Sequence, residues 1–152
     1  MEYLRSFVAI TLALLVVTSI SPVASASDTT FFEEVNGWKD EYNNYIDNLP
    51  GFLRHLRGEE RINCEITLDD SGTMIIGVIL SGPRIIHLQE SALDKPSAKV
   101  RMSEDTMRGI LKSGSPINAV AEALKSGDIT YQPYGWTNRI KYRILERLII
   151  KY

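Results

Sequence analysis

One cysteine and two histidines are the side chains best suited to nucleophilic or metal chemistry in this 152-residue chain. Cys64, His55 and His87 do not stand at metal-ligand spacing. A thiolate working with an imidazole base needs Cys64 exposed beside His55 or His87. Cys64 instead lies among strand-forming residues, where a free cysteine behaves as a small hydrophobe. The acid pairs Glu33-Glu34, Glu59-Glu60 and Asp69-Asp70 are adjacent in sequence, and adjacent helical residues do not face one site. They read as solvated faces and a turn. The sequence has no glycine-rich phosphate loop and no serine in a nucleophile elbow. The expectation is therefore a protein that is not an enzyme and carries no metal and no cofactor. Nucleic acid is not an expected partner either, because the chain is slightly acidic, with a formal charge of −2.

What remains is the chemistry of apolar surfaces, and capped elements must position them. Ala98-Lys99-Val100-Arg101-Met102 alternates like a strand and runs into Ser103-Glu104-Asp105-Thr106. Ser103 is a helix N-cap whose hydroxyl can accept a free amide hydrogen of the first turn. Glu104 and Asp105 place negative charge at the positive end of the helix dipole. Met107, Ile110 and Leu111 form one apolar face, and Lys112 with Gly114 ends the helix. Ser115-Pro116 opens the next helix, with the cap residue first and proline at the first helical position. Gly127 closes it, and Asp128 to Gln132 reads as a strand.

The remaining elements follow from periodicity. Phe32, Val35, Trp38, Tyr42 and Tyr45 recur at helical spacing within 31–48, and Asn48-Leu49-Pro50-Gly51 breaks that helix. Phe52 to Arg57 adds a short helical turn. Arg61 to Leu68 alternates, with Ile62, Cys64, Ile66 and Leu68 on one face. Asp69-Asp70-Ser71-Gly72 turns the chain into Thr73 to Leu80, which is apolar enough to be covered on both faces. After Ser81-Gly82-Pro83, a third strand spans Arg84 to Gln89. Thr137 to Tyr152 is a final helix. On a helical wheel Ile140, Ile144, Leu145, Leu148, Ile149 and Tyr152 fall on one half, and Arg139, Arg143, Glu146 and Arg147 on the other. Lys141 and Ile150 are out of place on that wheel. Two readings stand: a core-packed helix with a solvated basic face, or a helix that closes a lipid cavity or rests on an anionic membrane.

The N-terminus is set apart from the fold. Arg5 precedes an apolar run from Phe7 to Ile20, and Ala24-Ser25-Ala26 supplies a small-x-small cleavage pattern. Residues 1–26 are expected to be a signal peptide, with an uncleaved anchor as the other reading. Residues 27–152 then form one domain that is secreted or held at the extracytoplasmic cell surface, and its single cysteine allows no internal disulfide. Charge is uneven. Asp28 to Glu60 is acidic, whereas Arg139, Lys141, Arg143, Arg147 and Lys151 face only Glu146. A basic tail of this kind either meets the acidic front or faces something anionic.

The order α-β-β-β-β-α-α-β-α resembles the sterol carrier protein type 2 family. The resemblance rests on Ala98-Lys99-Val100-Arg101-Met102-Ser103-Glu104-Asp105-Thr106, on Leu111-Lys112-Ser113-Gly114, on Pro116 and Ala119, and on Lys125-Ser126-Gly127-Asp128-Ile129-Thr130-Tyr131. It implies an α+β fold in which a five-stranded, mostly antiparallel sheet is covered by helices. It also implies non-enzymatic binding or transfer of lipids or other apolar molecules in an internal cavity. The lining residues would be Ile76, Val78, Met107, Ile110, Leu111, Val120, Leu124, Tyr131, Trp136, Ile140 and Ile144, with the last helix as the gate. The partners would be a lipid or other apolar small molecule and, through that helix, an anionic membrane. The alternative is an exported interaction domain with a filled core and an exposed apolar patch around Phe31, Phe32 and Trp38.

Overall fold

The computed structural model describes residues 30–48, 51–54 and 57–151. The expected signal peptide, His55 and Tyr152 lie outside them. The first helix, α1 (Phe31–Tyr45), begins at a capping box absent from the sequence reading. The Thr30 hydroxyl accepts from the Glu33 amide at 3.3 Å, and the Glu33 carboxylate accepts from the Thr30 amide at 2.9 Å. A 3-10 turn (Ile46–Asn48) and a short helix, α2 (Gly51–Arg54), lead toward the sheet.

Five strands follow in the expected order: β1 (Glu59–Thr67), β2 (Thr73–Ser81), β3 (Arg84–Gln89), β4 (Ala98–Ser103) and, after two helices, β5 (Thr130–Pro133). Across the sheet they run β3-β2-β1-β4-β5. All neighbouring pairs are antiparallel except β1 with β4, so the sheet is mostly antiparallel with one parallel pair. The parallel pair arises because the chain leaves β3 at one edge and crosses the sheet to reach the far side of β1. That crossing is pinned from below. Asn63 accepts from the Leu93 amide at 2.8 Å and donates to the Leu93 carbonyl at 3.2 Å. Gly77, paired with Asn63, lies under the same loop. A Cβ there would stand 2.7 Å from both the Ser91 carbonyl oxygen and Leu93. The second face of β2 is thus covered at Gly77, while Ile75 and Ile79 on that face are half-buried. Pro133 sits on the edge strand β5, where a missing N–H costs no inner ladder bond.

The opposite face carries Ile62, Cys64, Ile66, Ile76, Val78, Val100 and Met102, all buried. Phe31, Val35, Tyr42 and Ile46 join them from the N-terminal helical segment in one core. The exposed patch that the alternative reading placed around Phe31, Phe32 and Trp38 is therefore not present. Phe31 is buried, and Phe32 and Trp38 pack partly against the core. Each large apolar side chain buried here contributes about 1.5–3 kcal/mol.

Helix α3 (Glu104–Leu111) starts at Ser103 as expected, its hydroxyl accepting from the Thr106 amide at 3.0 Å. Helix α4 (Pro116–Ser126) differs from expectation. Ser115 occupies the cap position but makes no side-chain cap bond, because its backbone is not in the geometry that aims the hydroxyl at the first turn. Pro116 starts this helix by its fixed φ. Gly127, in the left-handed region at φ 85°, stops it. The last helix, α5 (Trp136–Lys151), returns across the fold and packs on α4 and β5.

Candidate functional site

The eleven residues expected to line a lipid site divide sharply. Ile76 and Val78 on β2, Met107, Ile110 and Leu111 on α3, and Val120 and Leu124 on α4 are all buried in the one core. Tyr131 on β5 is half-buried at its edge, donating its hydroxyl hydrogen to Glu146 at 2.8 Å. The structure turns Trp136, Ile140 and Ile144 the other way. They are 73 %, 50 % and 39 % exposed, and Leu148 beside them is 37 % exposed. Of the two readings of the wheel, the core-packed one, which put Ile140, Ile144 and Leu148 inside, is corrected here.

The reason is visible on the inner side of the helix. Lys141, the residue out of place on the wheel, points into the protein and pairs with Glu60 of β1. Glu60 also accepts from the Ser97 hydroxyl at 2.6 Å. Tyr142 is fully buried, its ring 5.7 Å from that of Tyr131, and Ile149 is buried about two turns further on. A buried ion pair with a removed partner is far more costly than an exposed isoleucine. Lys141, Tyr142 and Ile149 therefore choose the rotation of α5, and the isoleucine row is left outside. Sequence reasoning missed Glu60 and Ser97 as parts of this arrangement. The misfit of Lys141 and the acidic front facing a basic tail were the signals that pointed to it.

The outer face of α5 has two parallel rows. Trp136, Ile140, Ile144 and Leu148 recur every fourth residue, and so do Arg139, Arg143, Arg147 and Lys151. Each row advances by roughly 40° per step at 3.6 residues per turn, so the two stay side by side along the helix. All four basic residues are exposed, and none makes an ion pair with a carboxylate among the described residues. Glu146, the helix's acid, is half-buried and occupied by Tyr131. Tyr134, just before the helix, is exposed as well.

The cysteine and histidine singled out in the sequence stand apart among the described residues. Cys64 is buried, and desolvation pushes its thiol up to about 12, so it is not a thiolate near neutral pH. His87 lies on the exposed side of β3 against Gln89 at 3.2 Å. No group of three His, Cys, Asp or Glu side chains among the described residues is arranged to hold a metal. Open grooves among the described residues include two of note. One of about 480 Å³ is walled by Asp47, Arg54, Arg57, Arg84 and the Ser81-Gly82-Pro83 turn. The other, about 370 Å³, runs between α3 and α4 over Gly109, Ala119 and Ala123.

No family model matches the chain, and no curated protein does. Among solved structures, the chain is similar to the solution structure of palmitated SCP2L2 from Aedes aegypti. That similarity has 16 % identity over 72 % of this chain and 88 % of that one, with a TM-score of 0.46. It is similar to the sterol carrier protein domain 2 of Helicoverpa armigera, with 13 % identity over 87 % and 97 % of the two chains and a TM-score of 0.48. It is also similar to a ubiquinone synthesis protein, UbiJ-SCP2, with 14 % identity over 75 % and 93 % and a TM-score of 0.43.

Proposed function

We propose that this domain binds lipids or other apolar molecules without converting them chemically. The observation that carries the reading is the solvent-facing apolar row Trp136, Ile140, Ile144 and Leu148 on α5. Contiguous apolar residues of this size on a small domain mark a surface that something else covers. Each Å² covered returns about 25 cal/mol. The fuller form of the proposal places an acyl or sterol-like tail between the sheet and the helices, against Ile76, Val78, Met107, Ile110, Leu111, Val120, Leu124 and Tyr131. These side chains pack on one another in and against the core, so a tail would enter by parting them, with α5 as the element that moves. The small-x-small pattern at Ala24-Ser25-Ala26 after an apolar run supports action outside the cytoplasm.

The test is organic extraction of the purified full chain followed by mass spectrometry, with native mass spectrometry for stoichiometry. A defined lipid at one per chain is the expected result. A chain that yields none, and that also fails to bind fluorescent fatty-acid and sterol probes, overturns the reading. A second reading is then left, an interaction domain with a filled core, which the burial of Ile76, Val78, Met107, Ile110, Leu111 and Val120 already favours.

A further inference from the structure

We propose that the outer face of α5 docks flat on an anionic bilayer, the apolar row entering the acyl boundary and the basic row lying on lipid phosphates. This deepens the lipid-binding reading by naming the partner of the same surface, and rests on it. The face has two chemistries at once, and the occupant must satisfy both. Its outward positions are Trp136, Thr137, Arg139, Ile140, Arg143, Ile144, Arg147, Leu148 and Lys151, with no acid among them.

A second copy of the chain satisfies the apolar row but brings the same four cations against these four, and like charges across an interface are repelled. The chain's own segment before Thr30 has an apolar run, but its charged residues are Glu2, Arg5 and Asp28, which do not match a row of four cations. An anionic bilayer meets both rows, with hydrocarbon beneath and phosphate beside. A helix of this kind, apolar on one side and rich in Arg and Lys on the other, lies in the interface plane. The helix has 16 residues, about 24 Å at 1.5 Å per residue. No helix among the described residues is long and apolar enough to cross a membrane. Tyr134 and Trp136 sit at one end of the face, where amphipathic rings settle at headgroup level. The long stems of the arginines let their heads reach phosphate while the isoleucines go deeper. The buried Lys141–Glu60 pair holds this face outward before any membrane is met.

The test uses the full chain and vesicles of phosphatidylcholine alone or with about 30 % phosphatidylserine, read by co-sedimentation and by the tryptophan emission shift against a W136F reference. Wild type is expected to bind the anionic vesicles at least about 20-fold more tightly, and R143E/R147E to lose about that factor, as does raised salt. I140S/I144S should lose binding to either vesicle with its circular dichroism unchanged, since both positions are exposed. Equal binding to both vesicle types, unmoved by R143E/R147E, overturns the proposal. So does binding that neither double variant alters, which assigns the membrane contact to the segment before Thr30. A dimer that I140S/I144S turns into a monomer, with no vesicle binding, assigns the face to a second copy and also overturns it. The two readings fail separately. A chain that carries extracted lipid but ignores both vesicles loses only the docking. A chain that binds anionic vesicles through α5 but yields no extracted lipid and binds no probe loses only the lipid-carrying role.

Discussion

Lys141 shows how much one side chain decides. Its ammonium is buried against the Glu60 carboxylate, which Ser97 also supports. Replacing it with methionine keeps the volume of the stem but strands Glu60 in the interior. K141M is expected to lose about 3–5 kcal/mol of stability, and E60Q/K141M to recover most of that loss, since the uncompensated charge is gone. Urea titration of the three proteins checks this. Single variant and double variant of equal stability would show that the pair is not what holds α5. Gly77 is a second such residue. Its added Cβ would meet the Ser91 carbonyl and Leu93 at 2.7 Å, so G77A must push the crossing loop off the sheet. A fall in thermal midpoint is expected, together with faster amide exchange at Leu93, whose N–H is bonded to Asn63.

At the scale of elements, the two adjacent helices make a controlled comparison. Ser103 caps α3 through a real hydroxyl bond, and Ser115 precedes α4 without one. S103A is expected to cost about 1 kcal/mol and S115A close to nothing, measured by denaturant unfolding. Equal costs would contradict this assignment of the caps. Helix α3 is also tied to α1 by charge. Arg108 of α3 bonds Glu104 on its own helix at 2.7 Å and Glu34 on α1, and its guanidinium stands 5.0 Å from the Phe31 ring. Glu104 in turn accepts from the Asp69 amide at 3.2 Å, so the cluster joins α1, α3 and the β1–β2 turn. R108A should cost about 1–2 kcal/mol, because it removes charge-assisted bonds from a partly buried carboxylate. Loss of less than a few tenths would reduce the cluster to an ordinary surface pair.

The whole molecule is held by one core, and that core contains acids kept neutral by burial. Cys64 is pushed up to about 12, and the Tyr42 and Tyr142 phenols are raised in the same way, chiefly by desolvation. In the unfolded chain a thiol ionises near about 8.5 and a phenol near about 10. Below those values both states hold the proton, and stability does not depend on these groups. Above them the unfolded chain releases protons that the folded chain keeps. Stability is therefore expected to fall as pH rises from about 8.5 toward the raised folded values. Thermal melts between about pH 8 and pH 11 check the slope. A C64A variant should show a shallower loss just above pH 8.5 than wild type. The same burial predicts that a thiol reagent labels Cys64 only after unfolding, and rapid labelling of the native chain would overturn that assignment.

The sequence by itself determined the elements and their order, because strand alternation, the Ser103 cap, Pro116 and Gly127 are local physics acting on a few neighbours. It also placed Cys64 among strand-forming apolar residues, and the structure buries it there. It did not determine the parallel pairing of β1 with β4, which depends on where the chain crosses after β3 and on Asn63 and Gly77 receiving that loop. Least legible was the orientation of α5. A helical wheel ranks faces by hydrophobicity, and by that measure Ile140, Ile144 and Leu148 belong inside. Only the tertiary structure sets Glu60, some eighty positions away, within reach of Lys141. Once that buried charge has its partner, turning the helix to hide the isoleucines would strand it, and the apolar row faces outward as a result.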